Sequence, residues 1–246
     1  MSKVYEVIKG HRSIRSYSQE MIKESDLNKI IEAATLSPTT INGQQHSIIV
    51  VKDQETKKEL AKLSGGQFWI EKAAVFLLFV TDFKKIKDIM AAKGLELGQT
   101  DSIEANISSS VDIGISLGNA MNVAESLGYG CVPIGGIKRD IEKVIELFNL
   151  PEYTFPVVGL TVGVIEDNSQ PTKPKMGNLM VHNEKYQVKS LEEIALYDNI
   201  VKEYMIERTN GKEQRNYSES VAAYYENAYL KNEIETMRKQ GFKVKF

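Results

Sequence analysis

The sequence predicts an α+β domain followed by a helical C-terminal extension. Two kinds of segment carry this prediction. Apolar residues recur at helical spacing in several charged segments, of which 102–127 is the longest. Short apolar or β-branched runs separate these segments, and the uninterrupted run 73–80 predicts a strand buried on both faces. The chain contains no repeat and no low-complexity segment, so one domain over 1–246, with 185–246 as its extension, is the simplest prediction.

The individual elements follow from periodicity and from the residues that interrupt it. Pro38, Gly43 and Pro151 break regular structure, and Ser25 is a predicted helix N-cap. Helices are predicted over 4–10, 25–36, 54–63, 83–94, 102–127, 140–148, 191–206 and 217–237. Strands are predicted over 48–51, 73–80, 128–136 and 156–165, and the alternating residues 241–246 predict a terminal strand that could join a sheet edge of this chain or of a partner.

The longest predicted helix, 102–127, combines a periodic apolar pattern with small residues. This combination predicts a central helix packed on several sides. The spacing of Gly114 and Gly118 permits close approach of another helix. Ordinary core packing and a subunit interface both explain that spacing.

Composition excludes several classes of protein. The chain has 246 residues, a formal net charge of −2 and a pI near 6.0, which argue against general attraction to nucleic acid. Its single cysteine, Cys131, rules out a disulfide within the chain and fits a cytoplasmic protein. Charges interrupt the N-terminal residues too often for a signal peptide, and 73–80 is too short to span a bilayer.

Familiar catalytic and nucleotide-binding motifs are missing from the sequence. Gly128-x-Gly130 continues to Pro133 where a dinucleotide fingerprint needs glycine, and no phosphate-loop motif occurs. The three histidines and Cys131 lack metal-ligand spacing. Cys131 is predicted to be a small hydrophobic residue of a strand rather than a nucleophile. No pair of carboxylates stands out as an acid/base couple.

A set of polar and glycine-rich segments remains between the predicted elements. Residues 10–16, Gly-His-Arg-Ser-Ile-Arg-Ser, concentrate cations that suit a phosphate monoester, although a solvated charge cluster has the same composition. The other segments are 37–45, 65–67, 133–136 and 173–175. Cations for a phosphate, amides for the edge of a heterocycle and bare glycine backbone beside a ring together suit flavin mononucleotide, FMN.

Several of these segments resemble motifs of the nitroreductase superfamily, in particular its NADPH-dependent flavin reductases and oxygen-insensitive nitroreductases. The resemblance covers essentially the whole chain, with the motifs in the right order. They are His-Arg-Ser-Ile-Arg at 11–15, Gly-Gly-Gln at 65–67, Ala-Glu-Ser-Leu-Gly at 124–128, Ile-Gly-Gly at 134–136, Lys-Pro-Lys at 173–175 and Glu-Arg-Thr-Asn-Gly-Lys at 207–212.

The resemblance implies an α+β fold around a mainly antiparallel sheet, in a homodimer with FMN at the subunit interface. It implies that 185–246 embraces the partner subunit, in agreement with the predicted terminal strand. It also implies a ping-pong reductase that transfers hydride from NADPH, or from NADH, to FMN and then to a nitroaromatic, free flavin, quinone or azo compound.

The resemblance also implies a role for each matching residue. His11, Ser13, Lys173 and Lys175 hold the FMN phosphate, and Arg12 also contacts the cofactor. Arg15 faces the N1/O2 edge of the ring as an electrostatic stabiliser. The remaining implied contacts are Gln67 at the pyrimidine side, the backbone of Pro133, Ile134, Gly135 and Gly136 near N5, Thr39 from the other subunit, and Arg208 with Arg215 at the 2′-phosphate of NADPH.

Three positions depart from the motifs of this branch. Pro133 stands where tyrosine is common and cannot donate a backbone hydrogen bond. Lys175 replaces arginine, and the loop 37–45 lacks the usual serine-rich run. These departures motivate a second hypothesis, a flavin-binding protein for storage or redox sensing without turnover. A third hypothesis is an enzyme for another phosphorylated ligand, such as a nucleotide.

Overall fold

The structure, a computed structural model, describes residues 2–98, 102–226, 230 and 232–243. It divides into two compact units, one formed by residues 1–168 with 232–246 and the other by residues 169–231. Helices α1 to α10 are Lys3–Lys9, Glu24–Thr35, Gln54–Leu63, Trp69–Lys72, Lys84–Ala92, Ile103–Ser126, Ile141–Leu147, Leu191–Thr209, Tyr217–Tyr225 and Glu233–Lys239. Strands β1 to β4 are His46–Val51, Val75–Asp82, Gly130–Ile134 and Thr154–Gly163. Helices α8 and α9 belong to the second unit.

The first unit is built on a four-stranded sheet. Its strand order is β1-β2-β4-β3, and each neighbouring pair is antiparallel. Strand β2 is a central strand, and its residues from Val75 to Thr81 are buried, as its uninterrupted apolar run predicts. The α+β class and the mainly antiparallel sheet are therefore confirmed.

Alternate residues of β2 enter two different cores. Val75, Leu77 and Phe79 pack with buried side chains of α2 and α6 on one face of the sheet. Their neighbours Phe76 and Leu78 pack with buried side chains of α3 and α7 on the other face. The sheet is consequently the middle of three layers, which explains why β2 carries no polar face.

Helix α6 packs differently from the sequence prediction. Its buried side includes the small or polar residues Ser109, Asp112 and Ser116, whereas Ile107 and Val111 are about half exposed. A Cβ atom added at Gly114 or Gly118 would meet no atom of the described residues within 4 Å. Within the described residues α6 contacts α1, α2 and the sheet but leaves one side exposed, so the predicted packing on several sides is only partly met in one subunit, and core contact does not explain the glycine pair.

The helices differ from the prediction at several places: α4 is not among the predicted helices, α8 extends to Thr209, and two differences concern helix starts. Helix α2 begins at Glu24 with Lys23 as its N-cap, so Ser25 lies inside the first turn and is not the cap. The predicted helix 217–237 is two helices, because α9 ends at Tyr225 and α10 begins after Asn232. Asparagine is unfavourable inside a helix and favourable at its start, which is consistent with the second boundary.

The predicted terminal strand 241–246 is described only as far as Lys243, and residues 244–246 lie outside the described part of the chain. Residues 241–243 do not form a strand. The Phe242 side chain is fully buried and lies edge-on to Phe83, with ring centroids 6.2 Å apart. Among the described residues, no helix is long and apolar enough to cross a membrane.

Candidate functional site

The basic segment of the sequence, residues 11–15, runs along strand β3 and is anchored by buried side chains. Ile14 donates its backbone N–H to the Cys131 carbonyl oxygen at 3.1 Å, and its side chain is buried. The buried Tyr17 hydroxyl donates to the Ile14 carbonyl at 2.8 Å, and its burial raises the Tyr17 pKa. A Cβ at Gly130 would lie 2.7 Å from the Ile14 side chain, so only glycine allows this close approach.

Three side chains of this segment make polar contacts that orient them. The His11 ring nitrogen Nδ1 lies 2.5 Å from Oε1 of Glu125, near the end of α6. Arg12 donates from Nη1 to the Gly10 carbonyl oxygen at 3.3 Å. The Arg15 guanidinium donates to the Ser13 carbonyl at 3.2 Å. Because Ser13 and Arg15 are exposed while Ile14 between them is buried, the segment presents polar groups from a fixed backbone.

The turn after α3 contributes the next part of the site. Gly65 and Gly66 have φ angles of +81° and +77°, a left-handed conformation that favours glycine. This turn leads into α4, where the Trp69 ring centroid lies 5.6 Å from the Arg15 guanidinium carbon. That distance is within the range of a cation–π interaction. The structure therefore brings the 65–67 motif to the 11–15 motif.

The end of β3 meets the same turn. The Gln67 side-chain amide donates to the Ser64 carbonyl oxygen at 3.0 Å. A Cβ at Gly136 would overlap the Gln67 amide and lie 2.8 Å from that carbonyl oxygen, so the two motifs are in contact. A Cβ at Gly135 would meet nothing within 4 Å in the part of the chain that the structure describes, which leaves open space above its backbone.

Pro133 lies in β3, an outer strand of the sheet, opposite Leu160 of β4. Proline is tolerated in outer strands, where one edge of the backbone needs no partner strand. The adjacent Ile134 ends the strand and is buried. The absent donor at Pro133 is thus compatible with the sheet.

Thr39 lies on a loop that packs on α6. Its hydroxyl accepts a hydrogen bond from the Gln44 backbone N–H at 3.1 Å. Asp112 of α6, only 2% exposed, accepts from the backbone N–H of Thr40 at 3.1 Å and from the Gln45 side chain at 2.7 Å. No hydrogen bond found within the described ranges joins Thr39 to the 11–15 segment.

The remaining predicted site residues belong to the second unit. Lys173 and Lys175 flank Pro174, whose carbonyl oxygen accepts a hydrogen bond from the buried Tyr197 of α8 at 3.0 Å. Arg208, in the last turn of α8, donates to the Gln170 side chain at 3.0 Å. These two hydrogen bonds join Gln170 and Pro174 to α8, the helix that carries Arg208. Arg215 follows α8 and donates its backbone N–H to the Glu213 carboxylate at 2.9 Å.

Cys131 is fully buried in β3, and its burial raises the thiol pKa well above the ordinary value. The interpretation of this residue as a small hydrophobic side chain agrees with both facts. We expect the native protein to leave a thiol reagent such as Ellman's reagent unreacted, because a buried protonated thiol is a poor nucleophile. Absorbance should report one thiol per chain after unfolding in guanidinium. Rapid reaction of the folded protein would contradict this prediction.

Sequence reasoning gave no role to several residues of this region. Glu125 lies inside a quoted motif, but its pairing with His11 depends on the position of α6. Trp69 follows the Gly-Gly-Gln motif, and its ring position depends on a four-residue helix. Asp112 carried a usable signal, because it is the one charged residue in the apolar and small-residue middle of the helix, 107–118, and a carboxylate needs polar partners when it is buried.

Comparison with known proteins is consistent from end to end of the chain. A profile described as "Nitroreductase family" matches residues 8–164, and one described as "Nitroreductase family, C-terminal domain" matches residues 173–245. The FMN reductase (NAD(P)H) of Bacillus subtilis strain 168 is 44% identical over 248 residues, covering 99% of each chain.

Solved structures give the same picture. NfrA2 of B. megaterium is 43% identical, with a TM-score of 0.97 and full coverage of both chains. The NADPH:FMN oxidoreductase of Vibrio harveyi, solved with NAD⁺, is 28% identical, with a TM-score of 0.90 over 99% of this chain and 100% of that one.

Proposed function

The chain belongs to the nitroreductase family, and on that premise we propose that it is an FMN-dependent reductase that oxidises NADPH or NADH. The convergence of three motifs is the observation that carries the proposal. Segments 11–15 and 65–67 meet through Arg15 and Trp69, and 65–67 meets 134–136 through Gln67 and Gly136. These motifs are far apart in sequence, and the fold brings them together.

The residues present fit FMN. Residues 11–15 supply cationic and hydroxyl groups suited to a phosphate and to the electron-rich edge of a ring. Gln67 supplies an amide of the kind that suits a heterocycle edge, and Gly135 has open space among the described residues, where a side chain would obstruct a flat ligand. Trp69 Nε1 is buried without a partner among the described residues, which adds an unused donor beside Arg15.

Bound FMN supplies the two-electron chemistry of the reaction. In our proposal, His11, Arg12 and Ser13 bind its phosphate. Arg15 is a fixed cation that stabilises negative charge at the N1/O2 edge, where a preorganised charge is most effective. The pyrimidine side is bound by Gln67, and the backbone of Pro133, Ile134, Gly135 and Gly136 lies beside N5.

Residues of the second unit complete this proposal. Lys173 and Lys175 bind the FMN phosphate, and Arg208 with Arg215 binds the 2′-phosphate of NADPH. The hydrogen bond from Arg208 to Gln170 ties this arginine to the segment that precedes Lys173, which supports the proposal that both belong to one site. The alternative is that Arg208 simply offsets the helix dipole at the end of α8. Equal use of NADPH and NADH by the native protein would favour that alternative.

We propose a cytoplasmic homodimer in which 1–246 acts as one domain and 185–246 embraces the partner subunit. The exposed apolar side of α6, where Ile103, Ile107 and Val111 are each at least half exposed, supports a contact with a second copy. Gly114 and Gly118 on this helix allow close approach of a helix. In this arrangement Thr39 reaches the flavin of the partner.

The acceptors in this proposal are nitroaromatics, free flavins, quinones and azo compounds, which use the same site in turn with the nicotinamide donor. The main alternative is a flavin-binding protein without turnover. No observation favours a separate nucleotide-processing enzyme.

A visible absorbance spectrum, recorded before and after anaerobic addition of NADPH, tests the proposal. We expect a flavin band that bleaches on addition and returns when an acceptor is supplied. A band that persists with both NADPH and NADH would favour the storage or sensing alternative. No band, even after reconstitution with FMN, would contradict the proposed cofactor.

A further inference from the structure

The loop that carries Thr39 is held by one buried carboxylate. We propose that Asp112 of α6 is a positioning residue for the flavin site, acting through the 39–45 loop. This inference rests on the proposed function, in which Thr39 contacts FMN. Asp112 itself touches neither donor nor acceptor in this account.

Asp112 uses both carboxylate oxygens on the loop. The backbone N–H of Thr40 lies 3.1 and 3.2 Å from Oδ1 and Oδ2, and the Thr40 hydroxyl donates to Oδ1 at 3.2 Å. The Gln45 side-chain amide donates to Oδ2 at 2.7 Å from the other end of the loop. The carboxylate therefore fastens both ends of the segment that contains Asn42 and Gly43.

The loop between these ends has an unfavourable backbone conformation. Ile41, Asn42 and Gln44 have φ angles of 52°, 55° and 48° without being glycine. A left-handed conformation is especially unfavourable for the β-branched Ile41, whose side chain is 95% exposed and gains no core contact. Such a conformation persists only where the surrounding structure enforces it. Asp112 supplies hydrogen bonds on both sides of the strained residues.

The hydroxyl of Thr39 depends on the same conformation. It accepts a hydrogen bond from the Gln44 backbone N–H, which is available only while residues 41–44 keep their turn. Thr39 is also the direct neighbour of Thr40, the residue bound by both carboxylate oxygens. Loss of the Asp112 contacts should therefore move Thr39 and weaken FMN binding without altering the 11–15 segment.

Four variants of the full-length protein test this inference. Asp112→Ala removes both carboxylate oxygens that accept hydrogen bonds from the loop. Asp112→Asn keeps one oxygen as an acceptor for Thr40. The Gln45 side-chain amide can then rotate by 180° so that its oxygen accepts from the new asparagine amide. Thr40→Ala removes only one exposed hydroxyl and is a milder variant should Asp112→Ala not fold. The matched control is Ser116→Ala, which removes a buried hydrogen bond from α6 to the Ala34 carbonyl in α2 and leaves every Asp112 contact in place.

Two measurements are made on each variant. Limited proteolysis with mass spectrometry gives the rate of cleavage within 39–45 in flavin-free protein. Quenching of FMN fluorescence gives its Kd. For Asp112→Ala we expect both the cleavage rate and the Kd to rise about tenfold, and for Thr40→Ala about threefold. Asp112→Asn and Ser116→Ala should stay close to wild type in both measurements.

Unchanged cleavage or unchanged Kd in a folded Asp112→Ala protein would overturn the inference. Equal effects of Ser116→Ala would overturn it too, because they would indicate general loosening of α6. An Asp112→Asn variant as impaired as Asp112→Ala would contradict the hydrogen-bond account. A wild-type protein that binds no FMN would refute the proposed function itself. Proteolysis distinguishes that failure, since it reports on the loop in the absence of flavin.

Discussion

Replacing Arg15 by alanine should lower the rate of flavin reduction by at least about a hundredfold, or leave the purified protein without flavin. Arg15 is the exposed cation that lies over the Trp69 ring, and in our proposal it is the fixed charge at the N1/O2 edge. The ratio of flavin to protein absorbance measures cofactor content. Rapid mixing with NADPH under anaerobic conditions, after reconstitution with FMN, measures reduction.

Two further substitutions make the Arg15 result specific. Arg15→Lys keeps the charge but loses the planar guanidinium, and it should retain more flavin than alanine does. Lys58→Ala removes an exposed cation of α3, outside the segment proposed to embrace the partner, and should change neither measurement. Unchanged flavin content together with unchanged kinetics in Arg15→Ala would contradict the proposed role.

Replacing Gly159 by alanine should destabilise the fold by about 3 kcal/mol, which corresponds to a fall in Tm of roughly 6–12 °C. Gly159 lies in β4 opposite Leu78, and a Cβ there would overlap the fully buried Phe76 ring, with further ring atoms at 2.7 and 2.9 Å. The ring is enclosed by the core between the sheet, α3 and α7, so it cannot move freely. Thermal unfolding by circular dichroism measures the change.

A double variant separates this overlap from a general intolerance of side chains in β4. Phe76→Leu removes the ring and should itself destabilise the protein, but Gly159→Ala should then cost less than it does beside phenylalanine. The control is Gly98→Ala rather than Gly94→Ala, because Gly94 has a positive φ. The methyl group added at Gly98 meets no atom of the described part of the chain within 4 Å, and it should leave Tm nearly unchanged. Strictly additive effects of Gly159→Ala and Phe76→Leu would contradict the explanation.

The elements of the sheet could be predicted because their sequences leave few alternatives. The run 73–80 has no polar residue to expose, and the sheet places it between two cores. Helix α6 was harder to orient. Its isoleucines at 103 and 107 suggest burial, but small and polar residues face the subunit core instead. Helical periodicity reveals the faces of a helix and does not reveal which neighbour each face meets.

The candidate site was predictable where the informative residues are close together in one short segment. The cations at 11–15 and the glycines at 65–66 could be selected from the sequence alone. Trp69 contacts Arg15 and Glu125 contacts His11, although the partners in each pair are far apart in the sequence. Such pairs depend on strand order and helix placement, which local patterns do not contain.

The position of Trp69 has a practical consequence, because it is the single tryptophan among the 246 residues. The tryptophan emission of the unlabelled protein therefore comes from this one indole, which lies beside Arg15. A flavin bound beside that indole would quench the emission by energy transfer. Dissociation of the flavin would restore the emission. Cofactor loading can thus be followed in real time on the unmodified chain, with an optical probe that the sequence already contains.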